Sequence, residues 1–164
     1  MIYVDTSVIV AALDPADPRR EEARKVLEAR DDKVVSELVI AELASTLARQ
    51  HRVLTSVRDK LGIDEHVAFM AIILYTLKRF NLKYASVRGF SRTPFGRLYN
   101  PLACATELAE KLKLKTLDLP HLAYIKAMRE RGLQIRTLLT ADADFKDAEK
   151  GLQELLGIAV DLVK

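Results

Sequence analysis

Ile2-Tyr3-Val4-Asp5-Thr6-Ser7-Val8-Ile9-Val10-Ala11-Ala12-Leu13 decides the fold. Ile2, Tyr3 and Val4 are apolar in a row, without polar alternation. That is the pattern of a strand buried on both faces. Asp5, Thr6 and Ser7 follow as a turn and cap, and Val8 to Leu13 reads as a short helix. A buried strand that runs directly into a helix is the opening unit of a parallel α/β sheet.

The same alternation continues outward. Asp14-Pro15-Ala16-Asp17-Pro18 is a breaker, and Asp17 can cap a helix that has Pro18 at its first position and runs to about Arg30. Lys33 to Val35 predicts a strand. Ser36 caps a predicted helix to about His51, with Leu38, Ala41, Ala44 and Ala48 near helical spacing. Asp64 caps another to about Arg79, whose expected apolar face is Val67, Met70, Ala71, Leu74 and Leu77, read as core or as a dimer face. Leu82 to Val87 can be a strand. Residues 88–100 carry Gly89, Pro94 and Gly96 and read as a loop. Pro101 opens a helix to about Lys113, and Asp118 starts one to about Arg131, closed by Gly132. Arg136 to Thr140 predicts a strand, Asp142 to Ala148 a turn with a short helix, and Ile158 to Val163 a last strand. The expected fold is therefore one α/β domain, residues 1–164, with a central parallel sheet between helices. Its ligand crevice belongs at the carboxyl ends of the strands.

Composition narrows the class. The chain has 164 residues, 49% of them hydrophobic, and a mean hydropathy of +0.02. It reads as a globular protein. No apolar run approaches the ~18–20 residues of a membrane span, so no membrane partner is expected. The first residues lack a basic leader and meet Asp5 early, unlike a signal peptide. Cys104 is the single cysteine. It cannot form an internal disulfide, which favours a cytoplasmic location, and among Leu102, Ala103 and Ala105 it reads as core. The formal net charge of +3 permits nucleic-acid binding without requiring it. The basic residues are unevenly placed: Lys78, Arg79, Lys83, Arg88, Arg92 and Arg97 follow one another with no acid between them.

Four carboxylates fall where the predicted elements meet the crevice. Asp5 follows the first strand, Asp142 follows Arg136 to Thr140, Asp118 begins a helix, and Glu42 lies under two turns into another. Asp144 stands nearby as a fifth. Like charges a few Å apart repel and raise one another's pKa, and a divalent cation removes the conflict. Mg2+ or Mn2+ suits oxygen ligands. Two such ions about 3.5–4 Å apart can clamp a phosphodiester, one activating water and one stabilising the leaving oxygen. The plainer reading is that Asp5, Asp118 and Asp142 merely cap helices. Glu42 resists it, because Val39, Ile40, Ala41, Leu43 and Ala44 surround it and an unpaired buried Glu is costly. His51, His66 and His121 are scattered and form no acid–base pair. His121, three residues after Asp118, can reach a carboxylate. No Gly-rich phosphate loop is present.

Four segments carry a resemblance. Ile2-Tyr3-Val4-Asp5-Thr6-Ser7 resembles the opening strand and Asp-Thr/Ser-Ser turn of PIN domains. Val39-Ile40-Ala41-Glu42-Leu43 is similar to that family's second acidic element, and Asp118-Leu119-Pro120-His121-Leu122-Ala123 to its Asp-x-x-His-x-Ala helix start. Leu139-Thr140-Ala141-Asp142-Ala143-Asp144-Phe145 resembles its Thr-x-Asp-x-Asp-Phe turn. They occur in the family's order and span most of the chain. The resemblance implies a three-layer PIN fold and a Mg2+- or Mn2+-dependent endoribonuclease of the VapC toxin type. Asp5, Glu42, Asp118 and Asp142 would be the catalytic, metal-binding acids. Thr6 and Thr140 would support Asp5 and Asp142, and Asp144 would be an outer ligand or a helix cap. It also implies a homodimer and an antitoxin that blocks the acidic cleft. The basic stretch from Thr76 to Tyr99 is longer than expected for compact VapC-like chains. Arg88, Arg92 and Arg97 alternate there with Phe90, Phe95 and Tyr99, a pattern fit for RNA, for a protein partner, or for a solvated loop anchored by its aromatics.

Two rival functions remain open. A non-catalytic PIN-like module would bind RNA or protein without needing all four acids. A phosphatase with an aspartate after its first strand would want a second Asp two residues on, where this chain has Ser7.

Overall fold

The computed structural model describes every residue from Met1 to Lys164. The chain opens with β1 (Ile2–Val4), α1 (Thr6–Leu13) and α2 (Arg20–Glu28), and continues through β2 (Lys33–Val35) into α3 (Glu37–Ala48). Next come α4 (His51–Leu61), α5 (Glu65–Arg79), β3 (Leu82–Tyr84), β4 (Phe90–Thr93), β5 (Gly96–Tyr99), α6 (Asn100–Leu112) and α7 (Asp118–Glu130). β6 (Thr137–Thr140), α8 (Ala143–Asp147), α9 (Glu149–Leu156) and β7 (Ala159–Leu162) complete it. Five strands pair in the order β3-β2-β1-β6-β7, all parallel, with helices flanking the sheet.

β1 sits in the middle because its residues tolerate no water: Tyr3 and Val4 are fully buried. Tyr3 is in register with Val34 on one side and Leu138 on the other. The core gathers Val8 and Ile9 of α1, Leu43 of α3 and Leu122, Ile125 and Met128 of α7 around these strands. Strand order reverses between β1 and β6, so the crevice at their carboxyl ends opens there.

Several expectations need correction. α3 stops at Ala48, and α4, which had no sequence signal, follows from His51; a single residue, Leu54, buries from it, too little for a periodic stripe. α9 was hidden for a similar reason, since Leu152 and Leu156 alone are buried from it. α2 begins at Arg20; Asp17 does accept from a backbone N–H, that of Arg19, but as a turn ahead of the helix. Most of the expected apolar face of α5 looks outward: Ala68, Ile73 and Thr76 are buried, while Val67, Met70 and Leu74 are 51%, 43% and 62% exposed, and Leu77 alone of that face packs on the core. Residues 88–100 form an antiparallel hairpin, not a loop, with Phe90 opposite Tyr99 and Arg92 opposite Arg97. Gly89 is required at its root: φ is +110°, and a Cβ there would stand 2.7 Å from Asn100 Nδ2. Cys104 is half-buried against the core.

Candidate active site

Asp5 leaves β1 as the N-cap residue of α1 and is buried. Its side chain caps nothing; it turns into the crevice instead. Oδ2 accepts from Ser7 Oγ at 2.5 Å and from Thr140 Oγ1 at 2.7 Å, while Oδ1 lies 3.4 Å from His121 Nε2. Glu42 comes from the second turn of α3. Its Oε2 accepts from Thr6 Oγ1 at 2.5 Å and from His121 Nε2 at 3.1 Å. The expected supports are thus reassigned. Thr6 serves Glu42, because the first turn of α1 faces α3. Asp5 is held by Ser7 and by Thr140, whose hydroxyl also accepts from the Asp142 backbone N–H at 3.0 Å. β6 lies beside β1, which brings Thr140 to Asp5.

His121 is the residue that sequence reasoning undervalued. It is 3% exposed on the first turns of α7, with Nε2 facing two carboxylates and Nδ1 3.0 Å from the Tyr3 hydroxyl. Tyr3 in turn meets Ser36 Oγ at 2.7 Å. Nε2 therefore carries a proton, as its partners can only accept. Burial pushes the His121 pKa down, but the Glu42 hydrogen bond and the charges of Asp5, Glu42 and Asp118 outweigh it, and the net shift is upward. Burial likewise pushes the Glu42 carboxyl up, and His121 and Thr6 reverse this to a lowered value. The two shifts agree on a charged pair. The available signal was the three-residue spacing from Asp118, but nothing in the sequence revealed that Tyr3 and Glu42 would converge on the ring.

A second group lies alongside. Ligand atoms of Asp118, Asp142 and Asp144 fall within 4.8 Å of one another, as do those of Asp5, Glu42 and His121. Asp118 is buried and its Oδ2 has no hydrogen-bond partner. Burial and the charge of Asp142 push its carboxyl up. Asp142 accepts from Asp144 N at 2.9 Å and so caps α8 itself; the cap considered for Asp144 belongs to Asp142. The Asp144 carboxylate pairs with Lys115. Arg19 grips Asp17 through Nε and NH2 at 3.0 and 2.8 Å and donates to the Ala141 carbonyl at 2.8 Å, steadying the turn that carries Asp142. Asp5, Glu42, Asp118 and Asp142 all line one open cleft; Arg88, Arg92 and Arg97 do not.

The donor set fits a hard divalent ion. One group is all carboxylate, the other offers the carboxylates of Asp5 and Glu42 beside a protonated His121 that orients them, and the orphaned Asp118 Oδ2 has a lone pair that nothing in the chain satisfies.

The sequence profile of the PIN domain family matches residues 2–151. The chain belongs to the PIN domain family. No curated protein matches it significantly. Among solved structures, its PIN fold is similar to VapC20 of Mycobacterium tuberculosis, a toxin that cleaves the sarcin–ricin loop, at 19% identity and a TM-score of 0.57, covering 90% of this chain and 95% of that one. A toxin–antitoxin complex from Klebsiella pneumoniae gives 19% identity and a TM-score of 0.56 over 100% and 98% of the two chains. VapBC2 of Rickettsia felis, bound to a DNA fragment from its promoter, gives 16% and 0.53 over the full length of both. At these identities the likeness is one of fold, and it extends over the whole PIN domain. No helix is long and apolar enough to cross a membrane.

Proposed function

We propose that this PIN domain is a Mg2+- or Mn2+-dependent endoribonuclease, the toxin of a toxin–antitoxin pair. The observation that carries the reading is Asp118, buried at the cleft with a raised carboxyl pKa and an Oδ2 without a partner. A chain that needed Asp118 only as a cap would not leave that oxygen orphaned. Asp5, Glu42, Asp118 and Asp142 would hold the metal, with Asp144 at the rim. Bound there, a divalent cation supplies a Lewis acid for the phosphoryl oxygens and acidifies water. The protein's own part is positional. Ser7 and Thr140 fix Asp5, Thr6 and His121 fix Glu42, and the Tyr3–Ser36 pair orients His121. Such supporting hydrogen bonds set ligand orientation and basicity. Hydrolysis by attack of water at phosphorus would leave a 5′-phosphate and a 3′-hydroxyl.

The fold neighbours include toxin–antitoxin complexes, which supports an antitoxin partner that covers the cleft. A homodimer fits the exposed residues Val67, Met70 and Leu74 on α5. A cytoplasmic location fits the single free cysteine. Arg88, Arg92 and Arg97 are proposed as a separate RNA contact on the β4–β5 hairpin, where Phe90 and Phe95 are 63% and 82% exposed and Tyr99 is anchored on the Val87 carbonyl. A non-catalytic module binding RNA or protein is the alternative, and it leaves the strained acid cluster without a purpose. Incubating the purified chain with RNA, with and without Mg2+, tests the reading: cleavage must require both the metal and Asp5.

A further inference from the structure

The cleft lined by five carboxylates, Asp5, Asp17, Glu42, Asp118 and Asp142, repels an RNA backbone unless something cationic faces it. Besides His121, which is taken up by Asp5 and Glu42, it contains two cations. Arg19 is already forked on Asp17. Arg49 has no acidic partner, although it lines the same cleft as the acids; its guanidinium bonds only to Ser45 Oγ at 2.8 Å and Thr46 Oγ1 at 3.5 Å. Glu42, Ser45, Thr46 and Arg49 are spaced i, i+3, i+4 and i+7 and so share one face of α3. All four line the cleft.

Arg49 is the C-cap residue of α3, and a cation there is favoured by the helix dipole alone. Its hydrogen bonds argue for more. The guanidinium bonds no carbonyl of the last helical turn. It folds back along the cleft face, toward Glu42, and is held by two hydroxyls. Those two contacts leave most of its five N–H donors free, in the planar fork that matches a phosphate.

We infer that Arg49, with Ser45 and Thr46, binds a backbone phosphate of the RNA strand beside the scissile one. It does so two helical turns, about 10 Å along α3, from the acid that faces the cut. The inference rests on the ribonuclease reading and adds the path that the strand takes through the cleft: along α3, over the exposed end of that helix.

The test uses the Asp5→Asn chain in Mg2+, to prevent cutting, and a single-stranded RNA oligonucleotide, with affinity measured across a salt series. Arg49→Ala is expected to weaken binding about 10-fold and to reduce the slope of log affinity against log salt by about 0.7, the share of one lost phosphate contact. Arg49→Lys keeps the charge and is expected to keep the slope, while losing the fork and part of the affinity. In the chain with Asp5 intact, Arg49→Ala raises KM more than it lowers kcat. A helix cap alone would lower the thermal midpoint of Arg49→Ala and leave its salt slope at the parent value; that result overturns the inference and spares the ribonuclease reading. Failure of the Asp5→Asn parent to bind RNA at all overturns both.

Discussion

At the scale of single residues, the site is two like-charged groups held together by hydroxyls and one imidazole. Asp118 is the acid of the site left unrelieved, being buried beside Asp142 with an unpartnered oxygen. Asp118→Asn is expected to raise the thermal midpoint of metal-free protein by about 2–4 °C, roughly 1 kcal/mol in a domain of this size, and to lower cleavage about 100-fold or more. Calorimetry in EDTA checks the first half, and an unchanged or lower midpoint counts against the like-charge account. Thr140→Val removes a donor from Asp5 and is expected to weaken metal binding about 10-fold, read by Mn2+ titration. The pH response follows from His121. Its folded pKa is raised above the ordinary 6.5. The stability this contributes is fully present below that value and is lost as pH rises through the folded pKa. Asp118, also raised, works in the same direction at lower pH. The midpoint of EDTA-treated protein therefore falls as pH climbs from 6.5, and His121→Gln flattens that fall; a midpoint that rises over the same range contradicts the assignment. The convergence of the acids on one cleft was legible in the sequence, because Asp5, Asp118 and Asp142 stand at element ends beside the crevice and Glu42 stands out among apolar neighbours. Their partners were not. Which hydroxyl serves which carboxylate depends on β6 lying beside β1 and α1 facing α3, and neighbouring Thr6 and Ser7 point to different acids for that reason.

At the scale of elements, legibility followed burial. β1 announces itself as an apolar run, β2, β6 and β7 as short apolar pairs beside Lys33, Thr137 and Asp161, and α7 is legible because most of its length is buried. α4 and α9 bury one and two residues and leave almost no periodicity to read. α5 misled because its exposed stripe is as apolar as its buried one, a pattern that only the surroundings can resolve. The hairpin was read as a loop because its glycines and proline dominate the segment, while strands of four residues carry little alternation. Tyr99 ties the hairpin to the Val87 carbonyl and Arg131 ties its root to the carbonyls of Ser86 and Arg88; Arg97 stacks on Phe90, and Phe95 stands exposed at the tip. Replacing Arg88, Arg92 and Arg97 with Ala in the Asp5→Asn chain is expected to leave the fold intact. It should lower RNA affinity and flatten its salt dependence by about 0.7 per lost contact. An unchanged affinity and slope would assign the hairpin to a protein partner.

At the scale of the molecule, a parallel sheet whose order reverses between β1 and β6 opens one crevice, and the acids arrive there from β1, α3, α7 and the β6–α8 turn. The fold class was readable from the order of elements, since strands alternating with helices leave few other arrangements. Partners are recognised by surfaces, and surfaces carry no such periodicity. The central claim is that the converging acids serve metal-dependent hydrolysis of RNA, and cleavage of a labelled RNA by the purified chain tests it most directly. The reaction is run after chelation and again with Mg2+ or Mn2+ restored, beside the Asp5→Asn chain, and the new ends are identified. The account predicts cleavage only with metal and intact Asp5, leaving 5′-phosphate ends; undiminished cutting by the chelated chain, or cutting that survives Asp5→Asn, would contradict it.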